Sequence, residues 1–239
     1  MPPQTFRCVG CGAYWPRHWP TCNRCWRHGH IIPWSERQRA AIDSKPAASN
    51  ARAVARMNWG EIEQSAYPEL RLRISALVLV YGEAGAGKSS WACSLINAIK
   101  GPVCLIAAEE GLSPTLANRL QRCRIARDDF HVLTRASVDA AVEFATRIKA
   151  IAIALDSVQE SAWSATELRH VLGVCPDLKL LVAVAQVNRG GLPSGPNTLR
   201  HEADVVVRVE QMRWAIDKKS RYQDPIGVGG DVLPPKEIS

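Results

Sequence analysis

The chain has no apolar run of the ~18 residues needed to cross a bilayer. Its opening residues, MPPQTFRC, hold no apolar stretch of the kind that directs secretion. Both absences argue against a membrane or exported protein, and the expected location is the cytoplasm. Acidic residues are missing before Glu36, and net charge is missing after residue 60. Residues 1–60 carry nine Lys and Arg against two Asp and Glu, whereas residues 61–239 carry 21 of each sign. The whole surplus of +7 therefore lies at one end. Also absent is the even cysteine spacing of a disulfide scaffold. Of eight cysteines, four crowd into residues 8–25, and Cys93, Cys104, Cys123 and Cys175 stand singly in apolar segments. Single cysteines so placed read as small buried hydrophobes, in a chain with reduced thiols and one metal site. An apolar content of 46% excludes a disordered chain and is enough for a real core.

Cys8-x2-Cys11 and Cys22-x2-Cys25 form two CxxC pairs ten residues apart. Each pair can turn both sulfurs toward one ion, so the four thiolates predict a tetrahedral Zn²⁺ site. With no open position, that zinc is expected to be structural. Gly10 and Gly12 flank Cys11, where the backbone approaches the metal closely. Residues 1–34 also hold Phe6, Tyr14, Trp15, Trp19, Trp26 and Trp34, interleaved with Arg7, Arg17, Arg24 and Arg27. These rings can stack bases beside phosphate-neutralising arginines, or they can cover the zinc of a module too small for a core. Both readings stay open, with Arg17, Arg24 and Arg27 as candidate DNA contacts. Residues 35–58 are rich in Ala, Ser and Arg and contain Pro46. They read as a basic tether that serves either phosphate contact or solubility.

Residues 75–81 (SALVLVY) are apolar and β-branched, as in a buried strand. Gly82-Glu83-Ala84-Gly85-Ala86-Gly87-Lys88-Ser89 follows and matches GxxxxGK[ST], with a helix expected over 89–99. In that order the glycines let backbone N–H groups cradle phosphate at a helix N-terminus. Lys88 is expected on the β- and γ-phosphates of ATP and Ser89 on Mg²⁺, with Ser90 completing the nucleotide-binding stretch. Beyond it strands (102–109, 130–134, 150–157, 179–187) alternate with helices (one opening at Ser113-Pro114, 137–150, one at the capping box Ser164-x-x-Glu167). The alternation predicts an α/β fold with a mostly parallel sheet flanked by helices. Ligands in such sheets sit at the C-terminal strand ends, which singles out three residues. Asp156 is the expected Mg²⁺ partner. Glu109 is the expected base for the attacking water, with Glu110 as its fallback, and Gln186 is a sensor of the γ-phosphate.

These residues resemble the bacterial RadA (Sms) recombination ATPases, a zinc-ribbon branch of the RecA-like motors. The likeness rests on the CxxC-x10-CxxC ribbon with Pro16 and Trp19, and on Ala108-Glu109-Glu110 in place of that family's GEE. It also rests on Gly195-Pro196-x-x-Leu199-x-His201-x-x-Asp204-x-Val206. Lys219-Ser220-Arg221-Tyr222 is similar to the family's KNRF, with Ser for Asn and Gln223 where a Gly follows. Gln186-Val187-Asn188-Arg189 is closer to the DnaB-type replicative helicases. The resemblance covers residues 5–34 and about 70–228; the family's Lon-protease-like C-terminal domain is not among these 239 residues. It implies a zinc ribbon (1–34), a linker (35–58), a RecA-like P-loop ATPase core (59–228) and a tail (229–239). It implies a homo-oligomeric, hexameric ring in which Lys219 and Arg221 reach the γ-phosphate of a neighbouring subunit. It further implies single-stranded or branched DNA as partner in recombination or repair, with Arg189 on a DNA-facing loop and a recombination or replication protein as a further partner. His201 and Asp204 read as structural, with 204–210 a strand. The alternative is an ATP-switched loader or recruitment factor whose ribbon docks a protein.

Overall fold

The structure, a computed structural model, describes residues 60–134, 137–188, 197–224 and 230–233, apart from the side chains of Asn197, Lys218 and Lys219. It also describes the backbone of three short strands near the N-terminus. The chain divides into two units, Met1–Met57 and Asn58–Ser239. In the first, β1 (Thr5–Cys8) pairs antiparallel with β2 (Tyr14–Trp15) and β3 (Ile31–Trp34). Cys8 closes β1 opposite Ile31. Cys11, Cys22 and Cys25, the Cys8 side chain, and Arg17, Arg24, Arg27 and Arg189 lie outside the described residues.

In the second unit the apolar run after residue 75 becomes β4 (Ala76–Gly82), buried at all seven positions. A strand buried on both faces reads as a continuous apolar run, and β4 lies inside a parallel sheet. Its neighbours are β8 (Leu180–Gln186) and β9 (Val205–Glu210), both parallel to it. The sheet runs β10-β9-β4-β8-β7-β5-β6, where β5 is Val103–Ala107, β6 Phe130–Leu133, β7 Ala152–Asp156 and β10 Arg213–Ser220. Only the β9–β10 pair is antiparallel.

Alternate residues of each strand feed opposite faces. Val78 and Val80 join Trp91, Leu95 and Leu116 in one core, while Leu77, Leu79 and Tyr81 join Ala141, Leu168 and Leu199 in the other. Helices α1 (Lys88–Asn97) and α2 (Pro114–Arg122) cover the first face. Helices α3 (Val138–Ile148), α5 (Ala165–Val174) and α6 (Asn197–Glu202) cover the second, with a single turn α4 (Val158–Ser161) following β7. Ser113, Ser137 and Ser164 each cap a helix by accepting the N–H of the third residue onward. Glu167 returns the bond from Ser164 N at 2.8 Å, which completes the capping box.

The core extends past residue 228. Val232 is fully buried, its N–H donates to Met212 O, and Trp214 N donates to Gly230 O. The Tyr67 hydroxyl ties this segment to α1, its one proton shared between Val232 O and Trp91 O, while its ring stacks on Trp91 at 5.0 Å. Among the described residues no helix is long and apolar enough to cross a membrane.

Candidate functional site

Strand register sets the site. Gly82 pairs with Gln186, Val184 with Asp156, and Asp156 with Ala107, so β4 and β8 end level with each other two residues beyond β7 and β5, which also end level. Beyond those ends lies a cavity of about 340 Å³. Lys88, Ser89, Glu109, Asp156 and Gln186, which the sequence placed on different strands and loops, all line it.

The glycine loop 82–87 forms one wall. At Gly82 a Cβ would stand 2.1 Å from Val209 O, so β9 can approach only a glycine. Gly87 adopts φ +104 and serves as N-cap of α1, and a Cβ there would meet Met212 Sδ at 2.6 Å. Unlike α2, α3 and α5, α1 begins with no side-chain cap, and unlike α3 and α5 it has no acid in its first turn. Its first N–H groups have no intrahelical acceptor, and the dipole leaves that end positive. A phosphate fits such an end without further adjustment.

Lys88 is 8% exposed and folds back on the loop, its Nζ donating to Glu83 O at 2.7 Å. Burial lowers its pKa, opposed first by the charge of Asp156 and then by Glu109. Asp156 is 2% exposed, and burial raises its carboxyl above the usual range. Arg119 is the main opposing influence, followed by the nearby Ser89 hydroxyl. Glu109 lies exposed at the mouth, its N–H donating to Asp156 O at 3.0 Å. Gln186 is likewise exposed at the end of β8.

Glu110 points inward instead. Its Oε1 accepts from Arg119 Nη2, and Arg119 Nη1 donates to Asp156 Oδ2 at 2.8 Å. Sequence reading missed Arg119 and Arg122, both lining the cavity from α2. The available signal was their three-residue spacing on a helix beginning five residues after Glu109. Asp156 Oδ1 and Glu110 Oε2 are buried with no hydrogen-bond partner among the described residues. That donor set suits a small hard cation, which takes one or two carboxylates and a hydroxyl and completes its shell with water and phosphate. Asp156 and Ser89 would hold Mg²⁺ here. Among the described residues no group of three or more His, Cys, Asp or Glu side chains converges as a metal cluster.

Arg221 lies away from this cavity. Its Nη1 donates to Asp204 Oδ1 at 2.8 Å, within the same chain. Asp204 is 3% exposed and also takes Arg169 at 3.0 Å and the N–H of Leu77 at 2.8 Å, as a structural residue would. Lys219 falls in β10, and its side chain is outside the described residues. No protein-family model matches the chain, and no curated protein sequence matches it significantly.

Proposed function

We propose that the chain is a RecA-like P-loop ATPase of the RadA type, which uses Mg·ATP to act on single-stranded or branched DNA in recombination or repair. The observation carrying this reading is the uncapped start of α1 behind the glycine loop, facing Asp156 and Glu109 across one cavity with Lys88 and Ser89 on its wall. The triphosphate lies along the loop, held by main-chain N–H groups of residues 82–89 and by Lys88 once that lysine leaves Glu83 O. Bound Mg²⁺ neutralises charge developing on the phosphates. Glu109, exposed at the mouth, orients and deprotonates the attacking water, and Gln186 reads the γ-phosphate across the cavity. Lys219 and Arg221 complete the site of a neighbouring subunit, so hydrolysis follows assembly into a ring.

The DNA half of the reading is supported by charge. The first 60 residues carry all of the positive surplus, and around their four CxxC cysteines the sequence interleaves arginines with aromatic residues. The test is ATP turnover by the full-length protein with and without single-stranded DNA. Turnover is expected to rise with DNA and to vanish in Lys88→Ala. Turnover that survives Lys88→Ala would defeat the ATPase assignment. Nucleotide binding with no response to any DNA would instead favour the recruitment-factor alternative.

A further inference from the structure

Two carboxylates converge on the inner wall of the cavity, Asp156 at the end of β7 and Glu110 three residues beyond β5. An arginine fork commonly takes both oxygens of one carboxylate. Here the fork of Arg119 is split. One arm takes Asp156 Oδ2 at 2.8 Å and the other takes Glu110 Oε1. The second oxygen of each acid, Asp156 Oδ1 and Glu110 Oε2, is left buried and without a hydrogen-bond partner among the described residues. The Asp156 side chain is only 3% exposed, so water does not supply the missing donor freely. Two half-satisfied acids around one cation are the arrangement a divalent ion would take over, since it draws one oxygen from each carboxylate. Arg119 is anchored in the last turn of α2, so it can swing but not leave.

We propose that Arg119 is a resident counter-ion for the metal-binding carboxylates. Its single positive charge is shared between Asp156 and Glu110 before nucleotide arrives, and Mg²⁺ enters with ATP by displacing it from Asp156 while Glu110 retains the guanidinium at the wall. This rests on reading the cavity as a Mg·ATP site. Metal alone then binds weakly, because it must displace a tethered charge with no phosphate to repay the loss. Metal with nucleotide binds well, because the phosphates add ligands and give the released guanidinium a second anion. Arg119 is a positioning residue in this scheme and touches no reacting atom.

Mn²⁺, a paramagnetic stand-in for Mg²⁺, is titrated into the full-length, nucleotide-free protein, and free Mn²⁺ is counted by electron paramagnetic resonance. Arg119→Gln is expected to bind Mn²⁺ at least roughly tenfold more tightly than wild type, having lost a positive charge in direct contact with both acids. Adding Asp156→Asn to that variant is expected to abolish the gain. Arg119→Lys keeps the charge but cannot fork, and a tightening of about threefold is expected. Arg122→Gln controls for the general field of the cavity and is expected to change little. The proposal is overturned if Arg119→Gln gains nothing, if the gain survives Asp156→Asn, or if Arg122→Gln gains as much. Should Arg119→Gln fail to fold, unchanged Mn²⁺ affinity in Arg119→Lys overturns it. Binding of a fluorescent ATP analogue with Mg²⁺ to wild type is measured alongside. A wild type that ignores the analogue sinks the nucleotide reading, whereas one that binds it beside an unimproved Arg119→Gln sinks only the counter-ion role.

Discussion

At the scale of single residues, Asp156 concentrates the conflict between stability and chemistry. Burial raises its carboxyl above the ordinary range, so the fold disfavours the ionised form that the proposed Mg²⁺ binding requires. The stability this group contributes is present at low pH and is lost as the pH rises through its folded value. Asparagine at this position does not titrate. In metal-free buffer, the melting temperature of Asp156→Asn minus that of wild type is therefore expected to increase from about pH 4 toward neutrality. Thermal melts across that range check it, and a flat or falling difference would refute the assignment. Asp156, Lys88 and Ser89 were legible in the sequence because a strand end, a glycine loop and a helix start each leave a local mark. Arg119 was not legible. An arginine in a polar helix reads as a solvated side chain, and only the course of α2 past the end of β7 turns it into the partner of the buried Asp156 and the partly buried Glu110.

At the scale of elements, β9 was legible as the strand 204–210, whereas β10 and the turn that folds it back on β9 are the part that local sequence signals did not announce. Gln211 and Met212 form the hairpin's two-residue loop, with φ +46 and +61. Such loops prefer Asn-Gly, because both central residues need positive φ. Tertiary bonds hold the unfavourable pair in place. Met212 N donates to Ala86 O at 3.0 Å, Val232 N donates to Met212 O at 2.9 Å, and the thioether packs against Gly87. The hairpin thus braces the glycine loop from behind. Gln211→Asn is expected to raise stability by about 0.5–1 kcal/mol, since asparagine tolerates the left-handed region better. Urea unfolding measures this, and a lowered midpoint would mean that the glutamine makes a contact of its own. Tyr67→Phe acts in the opposite direction. Losing the hydroxyl between Trp91 O and Val232 O is expected to cost about 1 kcal/mol and to loosen residues 230–233, read by hydrogen exchange at Val232. By contrast, Ser113, Ser137 and Ser164 were readable as helix starts because a cap acts within three residues of itself.

At the scale of the whole molecule, strand order decides what faces what. The chain visits β4, β5, β6, β7 and β8 in turn, yet the sheet places β8 between β4 and β7. That order sets Gly82 opposite Gln186 and puts Asp156 opposite Val184, two residues short of that level, across more than 100 residues of sequence. Arg221, held on Asp204 within its own chain, bears on assembly. For the proposed role in trans, mixing Lys88→Ala with Arg221→Ala subunits is expected to restore part of the turnover that each lacks alone. A mixture as inactive as its components would place the role of Arg221 within its own subunit. The sequence by itself determined the α/β class, the helix starts, the glycine loop and the polar residues at strand ends, because each depends on neighbours a few positions away. Only the tertiary structure decided that Glu110 turns inward while Glu109 stays at the mouth, that Arg119 bridges the buried Asp156 and the partly buried Glu110, and that Val232 belongs to the core. Those outcomes depend on desolvation and on contacts between distant segments, and burial of that kind leaves no periodic trace in the sequence.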